Sequence, residues 1–440
     1  MIGTPEGKKP HVSAGEATRA FARIGLLSFG GPAAQISVMH RVLVEEKKWL
    51  DEPRFLHALN FCMLLPGPEA MQLATYAGWL MHGVRGGLVA GLLFILPGLA
   101  MMLALSAAFV LYGDVPVVTG LLYGLKAAVL AVVADALVKV SKRALTTRLM
   151  WGVAVTAFVA IAFLKAPFPL IVIGAALGGI ALTRLRPGAI KTATAEGAKL
   201  PERAPLGATL RTTLTWLAIW LVPLAALLAA FGRGHVLADA ALFFSKTAVV
   251  TFGGAYAVLA YVGQQAVEHF GWLRPDEMLA GLGLAETTLG PLVLVLVFVG
   301  FLAGAGIEGL DPLTGGLLGG LVAAFFTFAP CFLWIFAGAP HVEALRHVRW
   351  LAAGLAAITA AVVGVIANLA VWFGLHVLFG DYPEWRFGPV HLPSPELSQL
   401  DVFALAIAFA AGVALVRFRA NMLLVLAAAS LAGLAVQAFR

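Results

Sequence analysis

The chain has 440 residues, of which 61% are hydrophobic and only 12% charged, with a formal net charge of +7. A soluble protein of this length would be about one quarter charged, so the composition excludes an ordinary soluble domain and indicates a polytopic membrane protein. Lysines and arginines at membrane borders account for the basic balance without nucleic acid, and two cysteines, Cys62 and Cys331, make neither a disulfide framework nor a zinc site.

The first residues, "MIGTPEGKKPHVSAGEATRAF", are too polar for a secretory signal, so the chain is expected to keep its N-terminus. Each span needs about 20 apolar residues. Candidates follow at 17–44, 55–81, 86–112, 116–140, 149–165 and 168–184. After a polar linker come 211–231, 239–266, 277–303, 314–338, 350–378, 401–416 and 421–438. The expected fold is therefore all-α, with about 13 transmembrane helices.

An internal repeat organises these spans. "RIGLLSFGGPAAQI" at 23–36 returns as "KTAVVTFGGAYAVL" at 246–259, a shift of 223, and eight of 23 positions in 28–50 and 251–273 are identical. Gly67–Pro68 falls on Gly290–Pro291 and, after an insertion of ten, Pro97 falls on Pro330. Residues 1–184 read as the first repeat, 185–210 as a cytoplasmic linker, 211–232 as an extra span and 233–440 as the second repeat. The extra span turns the second repeat upside down. The basic "KVSKRALTTR" and the mostly acidic "GDYPEWRFGPVHLPSPELSQLD" then place the N-terminus in the cytoplasm and the C-terminus outside.

Inverted repeats with Gly/Pro-broken helices are the signature of secondary transporters. Irregular backbone deep in a membrane is tolerated where protein or a water-filled cavity satisfies it. Helix ends freed there can hold an anion. Close helix packing is the competing reading of the same small residues. The expected binding set is Ser28, Phe29, Gly30, Gly31, Pro66, Gly67, Pro68, Gln72, Lys126, Lys246, Thr251, Phe252, Gly253, Gly254, Thr287, Thr288, Gly290 and Pro291. Cations, hydroxyls and backbone amides suit a tetrahedral oxyanion. Glu69 and Glu286, each beside a Gly-Pro break, are the expected proton-coupling groups. No nucleotide-binding loop, nucleophile elbow or zinc-protease motif is present, so no catalytic residue, cofactor or metal is expected.

At "FARIGLLSFGGPAAQISVMHRVLVEEKKWLDEPRFLHALNFCMLLPGPEAMQLATYAGWLMHG", "FFSKTAVVTFGGAYAVLAYVGQQAVEHFGW" and "GLAETTLGPLVLVLVFVGF" the chain resembles the chromate ion transporter family in its long, two-domain form. The resemblance implies export of chromate across a bacterial-type inner membrane by potential or proton gradient, as an antiporter, and hence chromate resistance. The family's glutamine pair after PGPEA is here Met71–Gln72, and Leu289 replaces the first proline of its second Pro-Gly-Pro. Sulfate, a tetrahedral dianion of similar size, is the alternative substrate. The bilayer is the expected environment, nucleic acid is excluded, and assembly as a homodimer is left open.

Overall fold

A computed structural model describes residues 12–185, 206–252, 255–339 and 349–439. The described residues are overwhelmingly helical. In chain order they form α1 (Ala14–Leu27), α2 (Gly31–His40), a π-helical turn (Arg41–Glu46), α3 (Glu52–Cys62), α4 (Glu69–Tyr112), α5 (Pro116–Ala144), α6 (Arg148–Ala162) and α7 (Phe168–Leu185). The second half has α8 (Leu206–Phe231), α9 (Val236–Val250), α10 (Ala255–Gly263), a second π turn (Gln264–His269) and α11 (Pro275–Thr287). A short 3-10 turn (Leu292–Leu294) then leads into α12 (Val295–Ala305), α13 (Pro312–Gly338) and α14 (Arg349–Phe379). A small hairpin, β1 (Glu384–Phe387) and β2 (Val390–Pro393), precedes α15 (Val402–Val416) and α16 (Met422–Phe439). The two π turns are 223 residues apart, so the sequence repeat is also a structural one.

The segment expected to span at 17–44 does not cross. A continuous helix from residue 16 to residue 47 would be about 45 Å long. Instead the Lys47 ammonium lies 2.9 Å from the Glu16 carboxylate, and Arg23 lies 2.7 Å from Glu46. The helix enters as α1, turns at the Phe-Gly-Gly break, and returns as α2. The second copy, expected at 239–266, does the same: Phe243 of α9 meets Phe270 and Trp272 beyond α10 edge to face. The spans expected at 55–81 and 277–303 are also hairpins. Phe61 meets Tyr76 across the first Pro-Gly-Pro turn, and Gly281 lies against Phe298 across the second break.

The α4 helix then reverses sharply at His82–Gly83, where the backbone leaves helical geometry. Beyond it Gly86 and Ala90 lie against Gly78, so the two arms run antiparallel. The second arm, residues 84–112, is about 43 Å long and long enough to cross. Among the described residues, seven helices are long and apolar enough to cross a membrane, namely α4, α5, α7, α8, α13, α14 and α16, while α6 and α15 are shorter apolar helices. Four hairpins reach inward between them. The all-α, polytopic expectation holds, with seven clear spans where about 13 were expected. An apolar run of fixed length does not say whether it continues or turns back.

The equivalent helices α4 and α13 fix the relation of the halves. Gly87 lies against Phe336, Gly91 against Phe332, and Leu103 against Gly320. Residue numbers rise along one helix as they fall along the other, so equivalent elements run in opposite directions and the repeats are inverted. The hairpin tips meet at the centre. The Gly67 N–H donates to the Thr251 carbonyl and the Gly290 N–H donates to the Ser28 carbonyl, each at 2.8 Å. These two bonds are the same bond repeated, with donor and acceptor exchanged between halves. Each gives a partner to backbone groups that the broken helices leave free deep in apolar surroundings.

Candidate functional site

The hairpin tips border a cavity of about 660 Å³. Its inner end is formed by Gly30, Gly31 and Ala33 at the start of α2, by Gly67 and Glu69 at the start of α4, and by Tyr256 and Glu286 from the second repeat. One side of α5 supplies a wall, with Asp135, Lys139 and Arg143 spaced four apart and therefore on one helical face. Thr359 of α14 stands among the lining residues, and Thr146 and Thr147 of the α5–α6 connection line the mouth. The cavity thus opens on the face of the protein that carries Lys142, Arg148, Arg184, Arg417 and Arg419. The opposite face carries Asp114, Glu308, Asp311, Asp381, Glu384, Glu396 and Asp401.

Two helices begin at the inner end. Gly30 caps α2 in the left-handed conformation, and Pro68 precedes α4 with no side-chain cap. The first N–H groups of a helix have no intrahelical partner and sit at the positive end of its dipole. Two such ends facing one cavity are suited to a bound anion. Lys139 is paired with Asp135 at 2.6 Å, while the Arg143 guanidinium lies near the mouth, 3.2 Å from the Met63 sulfur. Deep in the cavity the Tyr256 hydroxyl donates to Glu286 at 2.5 Å.

Of the residues predicted from sequence, the structure brings Gly30, Gly31, Gly67, Glu69 and Glu286 to the cavity. Gly253 and Gly254 lie outside the described residues. The predicted hydroxyls do not line it: Ser28 donates to the Ile24 carbonyl, Thr251 to Thr247, Thr287 to Leu284 and Thr288 to Ala285. Gln72 is buried and braces the first turn through the Pro66 carbonyl at 2.7 Å. Gly290 holds Ser28, and Pro291 starts the short turn before α12. Phe29, Pro66, Pro68 and Phe252 shape the tips from outside the lining. Lys126 is paired with Asp276 at 3.6 Å towards the acidic face, and Lys246 is exposed on α9, so the cavity draws its positive charge from Lys139 and Arg143. Those two belong to a stretch that reads in sequence as a basic loop, and only their spacing from Asp135 signals one helical face. Tyr256 carries no sequence signal beyond its place after the second Phe-Gly-Gly.

The Chromate transporter family model matches residues 15–180 and 238–434, which cover both repeats and leave out α8. The chain belongs to the chromate transporter family. A probable chromate transport protein of Synechococcus elongatus is 30% identical over 387 residues, 88% of this chain and 90% of the relative. Chromate transport proteins of Pseudomonas aeruginosa and Cupriavidus metallidurans are 30% and 28% identical, over 84% and 80% of this chain and 83% and 80% of theirs. No solved structure matches. As a chromate transporter family member the chain is a multi-pass membrane protein of a transporter family rather than of an enzyme class, and both matched segments coincide with the inverted repeats.

Proposed function

We propose that the protein exports chromate from the cytoplasm across a bacterial-type inner membrane, driven by the membrane potential, and so confers chromate resistance. The observation that carries this reading is the cavity: two helix starts without side-chain caps at its inner end, with Lys139 and Arg143 on the wall that leads to them. Chromate is the substrate named for the relatives, and a tetrahedral dianion suits amide donors converging from two helix ends. The basic face belongs in the cytoplasm by the positive-inside rule. The N-terminus is then cytoplasmic, the C-terminus external, and the cavity is loaded from the cytoplasm. The potential acts on a charge at about 2.3 kcal/mol per 100 mV, hence roughly 4.6 kcal/mol for a dianion. Glu69 and Glu286 line the same cavity and are the groups through which a proton gradient would act on the cycle.

Inside-out membrane vesicles test the reading. With an interior-positive potential they are expected to accumulate labelled chromate, and excess sulfate is expected to compete weakly. Accumulation only in right-side-out vesicles would overturn export. Sulfate uptake without chromate uptake would make the protein a sulfate transporter.

A further inference from the structure

The cavity contains both members of two equivalent pairs. Adding 223 to Ala33 gives Tyr256, and adding 223 to Met63 gives Glu286, and all four residues line it. In a protein built from inverted repeats, the opposite-facing form is made by giving each half the conformation of the other. A lining residue then passes its place to its equivalent. Ala33 yields to Tyr256 while Tyr256 yields to Ala33, so both remain in the lining, and the same holds for Met63 and Glu286.

The other polar lining residues have no such partner. Glu69 corresponds to Leu292. Along α5 and α14 the register is 233 without a gap, "KAAVLAVVADALV" at 126–138 against "TAAVVGVIANLAV" at 359–371, the same offset that carries Pro97 onto Pro330. Asp135 therefore corresponds to Asn368, Lys139 to Trp372 and Arg143 to His376. The cations and acids on the α5 wall serve the cavity in its present form and leave the lining when it faces the other way.

We infer that Glu286, held by Tyr256, is the carboxyl group exposed to both sides of the membrane in turn, and that it rather than Glu69 carries the proton linkage of transport. This rests on the reading of the protein as an alternating transporter. The proton balance is simple: Glu286 takes a proton from water on one side and gives it to water on the other, and the Tyr256 hydroxyl donates to the carboxylate in between. The groups around it are few. The lining offers Asp135, Lys139 and Arg143 from α5, Glu69 from α4 and Thr359 from α14. Further out lie the Lys126–Asp276 pair and His376. The α12 and α16 helices, also packed against α11, bring no titratable side chain. Protonation removes a negative charge beside the anion, so lower pH tightens anion binding through Glu286, and the proton moves with the anion rather than in exchange for it.

Accessibility tests the inference directly. In a background with Cys62 and Cys331 replaced by alanine, Ala33→Cys and Arg143→Cys are labelled with a membrane-impermeant thiol reagent in right-side-out and inside-out vesicles. Labelling of Ala33→Cys from both faces and of Arg143→Cys from the basic face alone is expected, with chromate blocking the former. Labelling of Ala33→Cys from the basic face only, with chromate transport intact, overturns the inference while leaving the function in place. Labelling from both faces without chromate transport or chromate protection sinks the substrate and leaves the alternating pair. In a second arm Glu286→Gln is expected to abolish the pH dependence of chromate binding, whereas Glu69→Gln retains it. The reverse result would transfer the role to Glu69.

Discussion

Gly67 offers a quantitative test of the tip geometry. Its φ is +120°, and a Cβ placed on it would stand 2.8 Å from the Cys331 sulfur and 2.9 Å from the Gln72 amide nitrogen. Alanine keeps the N–H that donates to Thr251, so Gly67→Ala perturbs backbone strain and packing while leaving that donor in place. Strain at a positive φ costs about 1–3 kcal/mol, and overpacking adds about 1–3 kcal/mol, so the expected loss is roughly 2–6 kcal/mol. Gly31 is the control. Its φ is +77° with nothing within 4 Å of an added Cβ, which leaves the strain alone, about 1–2 kcal/mol. Both variants are heated in detergent and the fraction remaining monodisperse is followed by gel filtration. The order of survival should be wild type, Gly31→Ala, Gly67→Ala. Adding Cys331→Ala to Gly67→Ala should recover part of the loss, because one of the two overlaps disappears. Equal survival of Gly67→Ala and Gly31→Ala, or no recovery in the double variant, would refute the close packing of the first hairpin tip against α13.

Three further outcomes are expected. Cysteines at Lys48 and Arg148 should be labelled from one face and a cysteine at Glu308 from the other, because residues 14–47 turn back instead of crossing; labelling of Lys48→Cys together with Glu308→Cys would restore a through-going first span. Arg143→Gln should slow chromate entry at about 0.01 M salt and match wild type near 1 M, as the Debye length falls from about 30 Å to about 3 Å; the control Arg184→Gln, at the end of α7, should change neither. On the acidic face, burial raises the Glu384 carboxyl but Lys165, 3.3 Å away, and His391 hold it below its ordinary 4.5. A lowered folded value means the contact stabilises above pH 4.5 and is lost as pH falls through that lowered value, so amide protection across 384–393, taken relative to the intrinsic exchange rate, should fall on acidification below 4.5 and Glu384→Gln should remove that step.

The broken helices and their pairing were legible in the sequence because glycine and proline leave a mark wherever they fall. Eight shared residues in 28–50 and 251–273 anticipated the register that the π turns and the crossing bonds display. Direction was not legible. The run 17–44 has the same hydropathy whether it traverses or turns at Gly30, and the pairs that close it, Glu16 with Lys47 and Arg23 with Glu46, are ordinary charges at a membrane border. The cations followed the same logic. Lys126 and Lys246 stand out because apolar residues surround them, yet the cations that line the cavity are Lys139 and Arg143, whose helix continues past the expected end of the span at 140. The hydroxyls sit outside the lining for a local reason: a serine or threonine within a helix or at its end bonds its own preceding turn when nothing else is offered.

The reciprocal bonds at the centre bear on ancestry and assembly. A first repeat on its own would bring the Gly67 donor and the Ser28 acceptor but neither of their partners, so two copies would have to meet, one upright and one overturned, to close both contacts. A half-length forerunner would thus need to insert in both senses. The α8 helix, long and apolar enough for one crossing between the two halves, would end that requirement within one chain. Once each half has a fixed sense, equivalent positions are free to diverge. Met63 and Glu286, or Ala33 and Tyr256, are identical in place and opposite in chemistry, a specialisation that a dual-topology dimer of one polypeptide could never reach.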